Sequence, residues 1–211
     1  MGAFGEGPWV DLRPRQHKES AYTYLARSAR SEAEQARARI EDWFSRYPAE
    51  EAATLAARLQ SRQDDQHRSA FFELFLHETL LCRGHRVTAI EPKLPHTWKS
   101  PDFLVDGQFY LEGVQAVGDD LHAVLKRKAN RYGALDLPFV IAVNWPGGAD
   151  LEEVLNTLWH GPRGPQRRGL SAVLAVETAD PWHGGERPMQ LVHNPWAERP
   201  LKKSSMAFAA A

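Results

Sequence analysis

The pattern of apolar positions predicts a β-hairpin and, later in the chain, a strand at the centre of a sheet. Residues 102–105 and 108–116 are short apolar runs on either side of Asp106-Gly107, a dipeptide typical of tight turns. Residues 137–145 (LPFVIAVNW) are almost wholly apolar, as expected for a strand that is covered on both faces.

Helical spacing of apolar residues predicts five helices, and further apolar runs predict three more strands. The helices are expected over residues 20–46, 49–62, 66–83, 120–132 and 150–159. The strands are expected over residues 85–91, 170–177 and 189–192, and residues 161–169 are expected to form a basic loop. Gly84 is expected to end the third helix in a left-handed conformation. This order of elements predicts an α/β protein with a mixed sheet between helices.

Changes in composition divide the chain into three predicted parts. Residues 1–65 are expected to form an N-terminal arm and helical extension, residues 66–200 the α/β core, and residues 201–211 a disordered tail. Residues 1–18 are rich in Gly, Pro and charge, which is typical of a loose arm. The extension helices form either a separate helical subdomain or a brace for the core, and they are the candidate surface for a protein partner or a homodimer.

The hairpin carries two carboxylates at its open end, Asp102 and Glu112. A three-residue loop over residues 106–108 pairs these two residues and puts both on one face of the sheet, whereas a two-residue loop would separate them. We expect the three-residue loop. Neighbouring carboxylates repel, so a cation is expected between them, and their oxygens suit Mg²⁺. Solvation at the strand ends is the alternative, but Glu112 interrupts an apolar run, where an unpaired charge is costly.

A third acid is expected among apolar neighbours on the helix over residues 66–83. Glu73 shares a stripe with leucines, and Glu78 is the alternative inward acid. A carboxylate in such surroundings needs a metal ion, a partner or a raised pKa. Either one of the two completes a metal site with Asp102 and Glu112, or it caps a loop or pairs with an arginine.

Basic residues are clustered locally, although the net charge of −1 gives no global signal of nucleic-acid binding. Residues 126–131 (KRKANR) and 163–168 (RGPQRR) are either a local nucleic-acid surface or solvated segments. Lys128 lies on the inward stripe of its predicted helix. A lysine in such a position commonly extends along apolar surface to reach water.

Composition narrows the class of protein further. Apolar residues make up 43% and charged residues 25% of the 211 residues, which are ordinary values for a globular chain. The single cysteine, Cys82, excludes an internal disulfide and a cysteine-rich zinc site. No signal peptide and no membrane-spanning run is evident, so a cytoplasmic protein without a membrane partner is expected. A small-molecule enzyme has little support, since the chain lacks a glycine-rich phosphate loop and a serine nucleophile elbow.

These motifs resemble the PD-(D/E)xK nuclease superfamily, whose core is a helix, a three-stranded antiparallel meander, a helix and a further strand. Pro101-Asp102 with Glu112 ten residues later is similar to the family's signature, and Glu73 resembles its helix acid. The segment Lys128-Ala-Asn-Arg-Tyr132 resembles the exonuclease-type variant, in which a Gln and a Tyr four residues later face the site. The resemblance covers residues 66–180 and implies a restriction endonuclease-like fold.

The resemblance also implies a metal-dependent hydrolase that cleaves DNA phosphodiester bonds with Mg²⁺ or Mn²⁺. Its metal ligands would be Glu73, Asp102 and Glu112. The family's final motif has a lysine where this chain has Val114, on the same face of the strand as Glu112.

Lys128 is the expected replacement for that lysine, and Lys126 and Lys99 are weaker candidates. The residues expected to bind the DNA backbone are Lys126, Arg127, Arg131, Tyr132, Arg167 and Arg168. The alternative is a catalytically degenerate nuclease fold that binds nucleic acid or a protein partner.

Overall fold

A computed structural model describes residues 2–5, 9–116, 121–145, 147, 151–161, 164–182 and 187–205. The helices are α1 (Ala21–Arg27), α2 (Ser31–Ser45), α3 (Ala49–Leu59), α4 (Asp64–Cys82), α5 (Leu121–Ala129) and α6 (Leu151–Trp159), and a 3₁₀ turn covers Lys203–Ser205. The strands are β1 (Val87–Ile90), β2 (Phe103–Val105), β3 (Phe109–Gln115), β4 (Phe139–Trp145), β5 (His160–Gly161), β6 (Gly164–Pro165), β7 (Ala172–Glu177) and β8 (Met189–His193).

The chain forms two compact units. One comprises Met1–Thr79 and Ala179–Glu186, and the other comprises Leu80–Thr178 and Arg187–Ala211. The first contains α1 to α3 and most of α4, and the second contains both sheets. The division thus falls within α4 and not at residues 65 and 66. Aromatic contacts explain this, because the Trp43 ring of α2 lies 6.0 Å from an α4 phenylalanine ring.

The prediction of a single helix over residues 20–46 is wrong, because the first unit has two helices there, α1 and α2. The chain is extended at Ser28, between α1 and α2. Arg37 of α2 is buried, and its guanidinium donates hydrogen bonds to the carbonyls of Leu25 at 2.5 Å and Ser28 at 2.7 Å. These bonds satisfy carbonyl groups that a helix end leaves without a partner.

The N-terminal arm is also more ordered than its composition predicts. Ala3 and Phe4 are buried, and their amides donate to the Glu41 carboxylate at 3.0 and 2.6 Å. The prediction of a loose arm is therefore wrong for these residues. Of the predicted disordered tail, residues 203–205 form the 3₁₀ turn and residues 206–211 lie outside the described part of the chain.

The main sheet of the second unit has six strands in the order β1-β2-β3-β4-β7-β8. The first three form an antiparallel meander, β3, β4 and β7 run parallel, and β8 is antiparallel to β7. The chain passes through α5 between β3 and β4, and through α6 between β4 and β7, as parallel pairing requires. β4 is buried along all but its last residue. The prediction of a mixed α/β sheet is confirmed.

The hairpin between β2 and β3 has the predicted register. Leu104 pairs with Tyr110 and Val105 with Phe109, which leaves a three-residue loop over residues 106–108. Asp106 and Gly107 both have positive φ angles, 53° and 65°. Continued by one residue past Phe103 and Leu111, this register places Asp102, just before β2, opposite Glu112 of β3.

Helix α5 packs on the face of the sheet that carries Tyr110 and Val114. The helix ends at Ala129 and not at Tyr132 as predicted, because the chain turns through an Arg131 N–H bond to the Lys128 carbonyl at 3.0 Å. Residue 120, with which the predicted helix begins, lies outside the described residues.

Gly84 follows α4 with a φ of 78°, as predicted. Within the predicted basic loop, β5 and β6 pair as a short hairpin, and Arg163 lies outside the described residues. No helix in the described ranges combines the length and the apolar character needed to cross a bilayer.

Candidate active site

Glu112 is a buried carboxylate in the middle of β3, and only 1% of the residue is exposed. Its Oε1 accepts hydrogen bonds from Lys128 Nζ at 2.5 Å and from Arg131 Nη1 at 3.2 Å, and its Oε2 accepts one from the Tyr132 hydroxyl. Two cations and one neutral donor therefore surround this carboxylate. These donors satisfy both oxygens of the buried carboxylate.

The three donors come from the end of α5 and the turn that follows it. Lys128 lies on the same face of α5 as the buried Leu121 and Leu125, so its stem packs inward while its ammonium reaches Glu112. Because the helix ends at Ala129, the turn brings Arg131 and Tyr132 to the same carboxylate. The basic last turn of α5 also suits the negative end of the helix dipole.

Tyr132 joins Glu112 to the segment that precedes β2. Its hydroxyl is within hydrogen-bonding distance of Glu112 Oε2 and also of the Ser100 carbonyl oxygen, at 3.0 Å. Burial, and next the negative charge of Glu112, raise the pKa of Tyr132, with a smaller contribution from Asp102. Tyr132 is therefore a proton donor at neutral pH. It has one proton for two acceptors, so one of these oxygens can accept a further donor or cation.

Asp102 is held in place immediately before β2. Its Oδ2 accepts a hydrogen bond from the Gly113 amide at 2.6 Å, and its backbone carbonyl accepts one from the Glu91 amide at 2.9 Å. The first bond links Asp102 to the residue that follows Glu112 on the neighbouring strand. The hairpin therefore fixes the two acids relative to one another, as the sequence predicts.

Val114 occupies the position where the resembled family carries its lysine. It is buried in the apolar cluster with Tyr110 and Val124, on the sheet face that carries Glu112. The β3–β4 pairing runs without a bulge from Tyr110 to Gln115, so residues alternate between the faces throughout. The predicted position of Val114 is confirmed, and Lys128 supplies the cation next to Glu112 from the helix.

The acids of α4 are paired with arginines within the first unit. Glu73 accepts hydrogen bonds from the Tyr47 hydroxyl at 2.7 Å and from Arg58 at 2.5 Å. Glu78 accepts two from Arg46, at 2.8 and 3.0 Å. For both residues this is the arginine alternative that the sequence left open.

The three-carboxylate metal site has no counterpart among the side chains that the structure describes. Across these ranges no group of three or more His, Cys, Asp or Glu residues is arranged to hold a metal ion. Among the expected ligands, Asp102 and Glu112 belong to the hairpin, whereas Glu73 is bound by Arg58. A site at the hairpin therefore has two carboxylates.

The remaining basic residues lie near the end of α5 or close to it in the fold. Lys126 and Arg127 are exposed on the helix, and Arg127 lies one turn before Arg131. Arg167 donates to Asn130 Oδ1 at 3.3 Å, which brings the second basic segment to the end of α5. Arg168 is exposed and lies 3.8 Å from Glu198.

Sequence reasoning missed two participants, the direct contact of Arg131 with Glu112 and the Ser100 carbonyl beside Tyr132. Helical spacing does not indicate the first, because Arg131 lies in the turn after α5 ends at Ala129. No side-chain pattern indicates a backbone carbonyl. Comparisons with protein-family models, with curated proteins and with solved structures found no match to this chain.

Proposed function

We propose that this chain is a metal-dependent nuclease that hydrolyses DNA phosphodiester bonds at the hairpin of β2 and β3. The order of elements supports the proposal: a helix, an antiparallel meander, a helix and a parallel strand is the order in the core of the PD-(D/E)xK superfamily. On this proposal the sheet has a restriction endonuclease-like fold. In this proposal Asp102 and Glu112 correspond to the acids that the family uses for metal binding.

The observation that carries the proposal is the contact between Lys128 Nζ and Glu112 Oε1, at 2.5 Å. The family places a lysine two residues after this glutamate, and Val114 takes that position here. Lys128 reaches the same carboxylate from α5, in a segment that resembles the Gln and Tyr motif of the exonuclease-type variant. The chemistry needs an ammonium group beside the acids, and the helix provides one.

The donor set at the hairpin fits a hard divalent cation such as Mg²⁺ or Mn²⁺. Asp102 and Glu112 would hold it, and all their donor atoms are oxygens, as such ions prefer. Two carboxylates are sufficient, because Mg²⁺ commonly binds one or two carboxylates together with water and substrate phosphate oxygens. When bound, the ion would acidify a water molecule and polarise the phosphate.

The side chains around Glu112 have distinct roles in this proposal. Lys128, with 20% of its side chain exposed, can move from Glu112 towards the phosphate and stabilise the charge that develops there. Arg131 is more exposed, at 38%, and can bind a phosphate oxygen with its planar guanidinium. Tyr132 stays protonated and holds Glu112 and the Ser100 segment in place.

Exposed cations near the site would bind the nucleic-acid backbone. Lys126 and Arg127 lie on α5, and Arg167 is joined to the end of the same helix through Asn130. Contacts of this kind read phosphate groups and not bases, so binding should weaken with salt and depend little on sequence. Arg168 would contribute from the neighbouring turn.

Cleavage of labelled DNA with and without Mg²⁺ tests the proposal. Asp102→Asn keeps an acceptor for the Gly113 amide, and Glu112→Gln keeps the shape of the side chain, so both variants should fold. We expect each to lose divalent-dependent cleavage by at least about 100-fold. Glu198→Gln, an exposed carboxylate in the same unit, is the matched control and should cleave like the wild type. Cleavage that survives both site variants would overturn the proposal.

The second candidate is a nuclease fold that binds nucleic acid or a protein partner without chemistry. The ion pairs of Glu112 favour it, because Lys128 and Arg131 already compensate the carboxylate without a metal ion. Calorimetric titration with Mg²⁺ separates the two candidates. Binding that disappears in Asp102→Asn supports the nuclease, and no binding to the wild type supports the inactive fold.

A further inference from the structure

We propose that Trp98 is a platform on which an unpaired base stacks, so that the substrate at the hairpin is single-stranded DNA or a single-stranded end. This inference rests on the proposed function, because it concerns the substrate of the same site. It concerns a residue that neither the acids nor the cations of the site require.

Trp98 is 89% exposed. Trp196 and Trp9 are the other exposed tryptophans in the described ranges, at 42% and 39%, and both have packing partners. The Trp196 ring lies edge-on to His160 at 5.7 Å, and the Trp9 ring lies 4.2 Å from the guanidinium carbon of Arg37. Of the three, Trp98 leaves the largest share of its surface available to a ligand.

The chain connects Trp98 to the candidate site over a short distance. Ser100, two residues later, accepts a hydrogen bond from Tyr132, whose hydroxyl also reaches Glu112. Two residues span at most about 7 Å. The preceding residues 94–97 and Tyr132 also line a common pocket. Trp98 is therefore at the border of the site.

The charges beside Trp98 fit a nucleic-acid strand. Lys99 Nζ lies 5.6 Å from the centre of the Trp98 ring. The Arg131 side chain is 38% exposed, and its guanidinium carbon lies 5.6 Å from the centre of the Tyr132 ring. An aromatic face next to cations is the arrangement by which proteins bind single strands, since each base offers a stacking face and each phosphate a negative charge. In a duplex the base faces are stacked on each other, and only ends or frayed regions could use Trp98.

The test measures binding without a divalent ion, so that cleavage does not enter. A labelled thymidine oligonucleotide and a duplex of equal length are titrated with wild type, Trp98→Ala and Trp98→Phe, and anisotropy is recorded. We expect Trp98→Ala to lose affinity for the single strand by about 5- to 150-fold, the range for one stacked base, while Trp98→Phe keeps most of it. Duplex affinity should change less than about twofold. Trp196→Ala, the matched control, should leave both affinities unchanged.

Two results would overturn the platform: unchanged single-strand affinity in Trp98→Ala, or an equal loss for single strand and duplex. Its failure is distinct from that of the proposed function. If the acids support cleavage but Trp98→Ala binds normally, only the platform is wrong. If Trp98 governs single-strand binding but no divalent-dependent cleavage occurs, the nuclease chemistry is wrong and the binding surface stands.

Discussion

Replacement of Lys128 by methionine removes the cation closest to Glu112 but keeps a long, unbranched side chain on α5. The Glu112 side chain is 2% exposed, and Lys128 Nζ lies 2.5 Å from its Oε1. Removing one partner of a buried ion pair costs about 3 to 5 kcal/mol when the other charge is left alone. Here Arg131 at 3.2 Å and Tyr132 remain, so the loss approaches that of one charged hydrogen bond, about 2 kcal/mol.

The reciprocal change should cost less. Glu112→Gln removes the buried charge itself, and Lys128, which is 20% exposed, can extend its ammonium into water. We expect a loss of about 1 kcal/mol for this variant, from the uncharged hydrogen bonds that replace the charged ones. Urea unfolding followed by circular dichroism measures both free energies, and the double variant gives their coupling. The reasoning is refuted if Lys128→Met loses less than Glu112→Gln.

Three further predictions concern Mg²⁺ affinity, the pH dependence of stability and the arginine partner of Glu73. Lys128→Met should bind Mg²⁺ about tenfold more tightly than the wild type in calorimetry, because the ion no longer competes with an ammonium for Glu112; equal or weaker binding would contradict this. Burial and the charge of Glu112 raise the pKa of Tyr132, so its contribution to stability is complete below about pH 10 and is lost as pH rises above that value. Between about pH 9 and 11.5 the unfolding free energy of Tyr132→Phe should therefore fall less steeply with pH than that of the wild type. Equal slopes for the two proteins would contradict the raised pKa of Tyr132. Arg58→Leu should destabilise the protein by about 3 kcal/mol, since Glu73 would keep only the hydrogen bond from the Tyr47 hydroxyl. The cleavage rate per folded molecule should not change. A reduced rate would indicate that Glu73 takes part in the active site.

The sheet and its hairpin were predictable because their signals are local. The run of apolar residues 137–145 predicts a buried strand, and β4 is buried on both sides. Asp106-Gly107 predicts the turn, and the requirement that Asp102 and Glu112 share a face selects the three-residue loop. Period-two alternation then places Val114 beside Glu112.

The helical part was less predictable because long polar side chains determine it. Arg37 donates hydrogen bonds to the carbonyls of Leu25 and Ser28 at the end of the preceding helix. The pattern of apolar residues does not indicate such a bond. The partner of Glu73 is Arg58, fifteen residues earlier on another helix. Sequence indicates that a buried acid needs a partner, but not whether the partner is a metal ion or an arginine.

The site was predicted in part for a similar reason. Inward spacing placed Lys128 on the correct face, but a lysine stem of this length can reach either water or a buried acid. Arg131 was expected to bind DNA backbone, and its contact with Glu112 depends on the end of α5 at Ala129. Helix ends are difficult to predict from sequence to within one turn.

The most direct test of the central claim is the single-turnover rate of DNA cleavage at saturating Mg²⁺ for wild type and Lys128→Met. The account predicts that the variant binds the ion and loses at least about 100-fold in rate, because the charge that develops on the phosphate is no longer stabilised. Lys128→Arg keeps the charge and should recover part of the rate. Equal cleavage rates for wild type and Lys128→Met would contradict the claim that Lys128 takes the place of the family's lysine.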